Sequence, residues 1–183
     1  DGVKASVGAS TSGLSPDAWM VKSETKKGLI TKQISYYKNA VKGEELISWS
    51  QEYNFDGSKT KTTTVYTYDT AANKTDCLRM VTVYKDELLA ANARTPASFD
   101  PATFDFSGLV KKSETAYVGD TKGDEIADYT DNYKNGSIDT RTTYFYSDGV
   151  KASVGASTSG LSPDAWMVKS ETKKGSITKQ ISY

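Results

Sequence analysis

Histidine is absent from this sequence of 183 residues, and cysteine occurs once, at Cys77. Without His the chain lacks the commonest general base and the commonest metal ligand. A lone thiol reads first as a small buried hydrophobe; the sharper alternative is a disulfide between chains or periods through Cys77. No apolar run approaches the roughly 18 residues that mark a membrane-spanning helix, so this stretch is not expected to be transmembrane. An excess of one charge is also lacking, because 23 Lys and Arg stand against 23 Asp and Glu. With no basic face to track phosphates, nucleic acid is not an expected partner. No signal peptide is read in this stretch, and a sequence that opens on Asp1, inside a repeat, is expected to have lost a targeting segment upstream.

Aromatic residues are plentiful. Twelve Tyr, five Phe and three Trp set the chain apart from disordered segments, although the mean hydropathy is only −0.56. Runs of about eight residues alternate in polarity between turn residues and predict strands: ITKQISYY, EELISWSQEY, TKTTTVYTY, LRMVTVYKD, VKKSETAYV, DEIADYTDNY and RTTYFYSD. Asp56-Gly57, Asn135-Gly136 and Asp148-Gly149 are tight-turn pairs, since Gly and Asn accept positive φ. Only KDELLAANAR at 85–94 has room for two or three helical turns. The fold expected is all-β: antiparallel hairpin and meander repeats forming an extended sheet or solenoid-like array.

The sequence restarts itself. Residues 1–36 and 148–183 are identical except for Leu29 against Ser176, so 1–147 reads as one full period of a tandem repeat and 148–183 as the start of the next. A divergent shorter repeat lies beneath it, at 42–69 and 122–148: Lys-Gly, two acids, an aliphatic, an aromatic, Tyr, a turn ending in Gly-Ser, a Thr-rich strand and Tyr-x-Tyr. Each copy predicts a hairpin. KSET recurs at 22–25, 112–115 and 169–172. Three small-residue, Pro-punctuated or Gly-rich stretches, 3–17, 90–108 and 150–164, are expected as variable surface loops. Adjacent independent domains of equal sequence tend to misfold into one another, whereas units that must pair with their neighbours escape much of that hazard. The final hairpin, 166–183, is therefore expected to meet more chain.

The Tyr-Asp and Tyr-x-Tyr hairpins with their turns, as in VYTYDTAANK and YFYSDGVKAS, resemble the YD-repeat (Rhs) class among tandem-repeat bacterial surface and fibre proteins, some of which encapsulate toxins. That resemblance implies a long, coiled antiparallel sheet. The Gly-Arg-Leu that usually follows the Tyr-Asp in that class is absent here.

For chemistry the residues offer little. Glu44-Glu45 and Asp124-Glu125 are paired carboxylates, but neighbours in a strand point to opposite faces, so neither pair makes an acid/base dyad; solvated strand starts are expected. DNYKNGSID at 131–139 spaces Asp131, Asn135 and Gly136 like a calcium loop, yet Tyr133 occupies a ligand position and the closing Glu is missing. No metal, cofactor or catalytic residue is assigned, and the chain is read as a non-enzyme. Thr rows at 60–67 and 139–144 are expected to face solvent. The aromatic ladder Trp19, Trp49, Tyr53, Tyr66, Tyr68, Tyr129, Tyr133, Tyr144 and Tyr146 is expected to pack across strands, with polysaccharide stacking as the alternative.

The function expected is structural: a segment of a long extracellular or cell-surface fibre that self-assembles by strand pairing between successive repeats, with adhesion among its uses. Its expected partner is itself, head to tail. A polysaccharide-binding module, or a toxin shell of the YD-repeat kind, is the alternative.

Overall fold

The computed structural model describes residues 15–183. It is all-β, with eleven antiparallel strands: β1 (Lys22–Lys27), β2 (Ile30–Lys38), β3 (Leu46–Tyr53), β4 (Thr60–Tyr68), β5 (Leu78–Lys85), β6 (Val110–Val118), β7 (Ile126–Lys134), β8 (Ser137–Ser147), β9 (Val154–Gly155), β10 (Trp166–Lys174) and β11 (Ile177–Ser182). Strand order follows chain order from β1 to β8 and then β10 and β11, with the short β9 lying on β8. The sheet is an unclosed meander. All seven runs picked out by their polarity alternation are strands, and the 85–94 segment forms only one 3-10 turn, Ala90–Asn92. Of the loop expected at 3–17, residues 3–14 lie outside the described residues.

Two compact units divide the chain, one of residues 15–65 and 85–109, the other of residues 66–84 and 110–183. In the first, the core lies around Trp49 and Phe99, each 3% exposed. Trp49 stacks on Tyr36 with ring centroids 4.2 Å apart and meets Phe99 edge-on at 4.8 Å; Phe99 in turn abuts Phe104 at 4.8 Å and Phe106 at 5.9 Å. Such offset and edge contacts satisfy the ring quadrupoles and add to the area buried. Phe99, Phe104 and Phe106 all come from the stretch expected as a surface loop. Most of that stretch is exposed, but it folds back over Trp49 as a cap.

A buried polar cluster pins the cap. Asp86 forms a fork with Arg94 (Nε to Oδ2, 2.5 Å; Nη2 to Oδ1, 3.0 Å) and accepts from Thr63 Oγ1 at 2.7 Å. Its backbone carbonyl accepts from Thr60 Oγ1. The Arg94 guanidinium also lies over Phe104, 4.4 Å from the ring centroid. Thr60 and Thr63 are buried in this cluster, and Thr62 is buried with its hydroxyl donating to Glu52 at 3.1 Å, contrary to the solvent-facing role expected of the Thr row: a β-branched hydroxyl suits both a pleated surface and a carboxylate that needs donors.

In the second unit, Tyr146 is buried and its hydroxyl donates to the Ala127 carbonyl at 2.7 Å. The 150–164 segment is ordered around Asp148, whose carboxylate accepts from the backbone N–H groups of Val150, Lys151 and Ser162. Those donors hold its pKa below the ordinary aspartate value. The same segment supplies β9, pairing Val154 with Tyr146, and buries Ala156.

Candidate functional site

Three devices recur along the chain. The first is the duplicated hairpin. β1 and β2 pair Ser23 with Ser35, Glu24 with Ile34 and Thr25 with Gln33, slip by one residue, then pair Lys27 with Ile30. β10 and β11 pair Ser170 with Ser182, Glu171 with Ile181 and Thr172 with Gln180, slip at the same place and pair Lys174 with Ile177. Gly28 and Gly175, at φ 62° and 57°, open the two-residue turns, where a left-handed first position demands glycine. Side-chain bonds repeat as well: Thr31 donates to Glu24 at 2.6 Å and Thr178 to Glu171 at 2.9 Å. Leu29 is 98% exposed at the second turn position, so the single difference between the copies falls where nothing is packed.

The second device is a larger repeat. β2 and β3 pair Tyr37 with Ile47 after a slip at Tyr36/Tyr37, and β6 and β7 pair Tyr117 with Ala127 after a slip at Ala116/Tyr117. β3 and β4 match Gln51 with Thr63 and slip at Glu52/Tyr53; β7 and β8 match Asp131 with Arg141 and slip at Asn132/Tyr133. Strands β2–β4 are thus repeated as β6–β8. One buried cross-strand position carries two chemistries. Gln51 Nε2 donates to Thr63 Oγ1 at 3.2 Å in the first, while Asp131 and Arg141 form a fork with both distances 2.7 Å in the second. Asp131, read as a calcium-loop position, spends its carboxylate on Arg141. It holds that guanidinium protonated above its ordinary range.

A two-headed glutamate is the third device. Glu45 Oε2 accepts from its own turn at Gly43 N, 2.9 Å, and Oε1 from Met20 N, 2.9 Å. Glu125 repeats both contacts, Gly123 N at 2.9 Å and Leu78 N at 2.8 Å. Each carboxylate ties the start of a strand to the turn two strands away in sequence. Of the acidic pairs expected as solvated strand starts, Glu44 and Asp124 are exposed, whereas Glu45 and Glu125 are clamps. The clamps also align β5 with β1, which sets Cys77 in the place of Trp19 and Trp166. KSET at 112–115 lies in β6, the counterpart of β2, and so is not the structural equivalent of KSET in β1 and β10.

The predicted ladder residues are placed differently from one another. Trp49 and Tyr146 are buried; Trp19, Tyr53, Tyr66, Tyr68, Tyr129, Tyr133 and Tyr144 are half-buried. Arg141 lies over the Tyr129 ring at 4.1 Å and Lys111 over Tyr133 at 5.1 Å. Tyr144 Oη and Thr130 Oγ1 are 3.0 Å apart. Burial pushes the Tyr68 and Tyr146 phenols up to about 12, and Tyr53 upward too. Tyr36, Phe99, Phe104 and Phe106, which complete the Trp49 cluster, were not among the predicted rings. Three Phe within eight residues of an otherwise small and polar stretch was the available signal. Cys77 is a free thiol, 1% exposed.

An open groove of about 610 Å³ in the first unit runs past Val21, Lys22, Tyr36, Tyr37, Pro96 and Pro101. Its Trp49 ring is already faced by Tyr36 and Phe99. Among the described residues no group of three or more acidic or Cys side chains is placed to hold a metal ion, and no helix is long and apolar enough to cross a membrane. Compared with known proteins, the chain matches no family model, no curated protein and no solved structure.

Proposed function

We propose that this chain is a structural segment of a long, repetitive fibre, outside the cell or on its surface, in which successive repeats continue one another by strand pairing. The observation that carries the reading is the duplicated hairpin. One copy is paired onward, β2 to β3, and the other is paired backward, β10 to β8. The same hairpin sequence, at 22–36 and 169–183, thus accepts a neighbour on either side without changing register, turn or side-chain bonds, which is what an interior repeat of an array requires. The location outside the cell is supported by the resemblance to bacterial surface repeat proteins.

The mass of the native chain tests this. On a denaturing gel, a band far above 20 kDa is expected, or a breakdown ladder stepping by about 16 kDa, the share of 19.9 kDa that 147 of 183 residues carry. A single band near 20 kDa without reductant overturns the covalent array. A polysaccharide-binding role ranks second, favoured by the groove along Tyr36 and Tyr37; retention on an insoluble glycan, lost in Tyr37→Ala, would move it to first.

A further inference from the structure

We propose that the outer edge of β11 is a docking surface for the β3–β4 hairpin of a further copy of this repeat, seated in the register that β2 and β3 already use. The proposal deepens the array reading and rests on it. Its ground is that β2 and β11 present identical side chains in identical hairpins, one covered and one bare. Where β2 is covered, Gln33, Ile34, Ser35 and Tyr36 pair with Glu52, Gln51, Ser50 and Trp49. Their counterparts Gln180, Ile181, Ser182 and Tyr183 are all exposed, Tyr183 to 95%. A strand edge left bare is an adhesive surface; β11 exposes Ile177 and Ile181, and its one bulge, at Lys179, has its counterpart at Lys32 in β2, which pairs with β3 all the same.

Three contacts specify the occupant. Trp49 stacks on Tyr36, so its counterpart in a further copy would stack on Tyr183. Glu45 takes the N–H of Met20, whose counterpart is Met167. The β3–β4 turn sits on the hairpin end: a Cβ at Gly57 would come within 2.9 Å of Ile30 Cγ2, and Lys32 Nζ donates to the Phe55 carbonyl. Ile177 and Lys179 stand in for Ile30 and Lys32. Glycine is needed at 57 for this close approach and for its φ of 75°. The free edge of β1 in another copy is a poorer partner. Its exposed residues are Glu24, Thr25, Lys26 and Lys27, which supply no ring for Tyr183, and the one carboxylate among them, Glu24, already accepts from Thr31 Oγ1 and pairs with Lys26.

The test is hydrogen exchange, read by mass, on the full chain with and without a synthetic peptide of residues 37–69. Leu29 and Ser176 give the two hairpin copies different masses, so 28–36 and 175–183 are read separately in one molecule. Saturating peptide is expected to slow exchange at 175–183 by about tenfold or more and to leave 28–36 unchanged; a peptide carrying Trp49→Ala and Glu45→Ala is expected to lose the effect. Unchanged exchange at 175–183, or equal protection by the doubly substituted peptide, overturns the proposal. If protection of β11 instead follows chain concentration alone, the occupant is wrong while strand pairing between copies stands. If the peptide protects but the native chain runs near 20 kDa, the surface stands and the covalent array falls.

Discussion

Replacing Phe99 with Ala should release the cap over Trp49 without unfolding the strands beneath. Phe99 is 3% exposed and touches Trp49, Phe104 and Phe106, with Arg94 5.1 Å from its ring centroid. Transfer of a fully buried phenyl to water accounts for about 3 kcal/mol, and the cavity left behind adds to it; Phe→Ala changes in cores cost about 3–5 kcal/mol. Past Ala90, whose N–H donates to the Ser58 carbonyl, the cap is a loop held through Arg94 and Asp86 rather than by a strand ladder, so it can settle into part of the space. A loss near 3–4 kcal/mol is therefore expected. Regions with few apolar contacts open locally well below the global stability, so this loss is expected to fall first on residues 86–109. Two readouts follow. Trp49 is buried while Trp166 is 55% exposed, so the blue component of tryptophan emission reports Trp49 and should shift red in Phe99→Ala at urea concentrations where far-ultraviolet dichroism is unchanged. Trypsin should cut after Arg94 much faster than in the parent. Emission and cleavage both unchanged, or a stability loss under 1 kcal/mol, would refute the account of 86–109 as a cap fastened by Phe99.

The remaining predictions concern the clamps, the phenols and the thiol. Glu125→Ala removes two charge-assisted bonds, to Gly123 N and Leu78 N, and should lower the unfolding free energy by about 1–3 kcal/mol, read as a lower urea midpoint at unchanged m-value; Asp124→Ala, one residue away and exposed, should change little. Tyr68 and Tyr146 have folded pKa values raised to about 12 from 10.0, so their contribution to stability is intact below pH 10 and is lost as pH rises from 10 to 12. Tyrosinate absorbance should show Tyr68 and Tyr146 titrating last, after other phenols that burial also raises, and a single midpoint near 10 for all tyrosines would count against their burial. Cys77 should react with a thiol reagent only as the protein unfolds, because its sulfur is enclosed; rapid reaction in native buffer would contradict its placement.

The strands were legible because their alternation is local. β4 and β6 match the segments TKTTTVYTY and VKKSETAYV residue for residue, each bounded by turn residues. What the sequence concealed was correspondence between distant parts. KSET is a conspicuous string, yet its middle copy sits on the counterpart of β2, because the repeat is organised by the Glu45 and Glu125 clamps and by the positions of the bulges, which leave only a Lys-Gly-acid-Glu trace. The first strands of the two repeats, WMVKSETKK and CLRMVTVYK, share little beyond strand character. The cap was hidden for another reason: its composition is that of a loop, and only the three phenylalanines mark the residues that turn inward. The Thr row gives no sign of which side is buried, because a hydroxyl is equally at home in water and beside a buried carboxylate such as Asp86.

In this meander, β9 apart, each strand's neighbours in space are its neighbours along the chain, and this bears on how a fibre of such repeats would yield under tension. The ladder hydrogen bonds lie across the strands, so a pull on the chain loads them one after another, as in opening a zip, rather than all together in shear. The edge hairpins give way first, and each gives back slack before the next strand is strained. At up to about 3.3–3.6 Å for every residue released, even one peeled hairpin lengthens the tether by several nanometres. Because the released hairpin keeps its own turn and register, it can close again when the load is removed. A fibre of such repeats would resist a tug by stretching and recovering rather than by breaking.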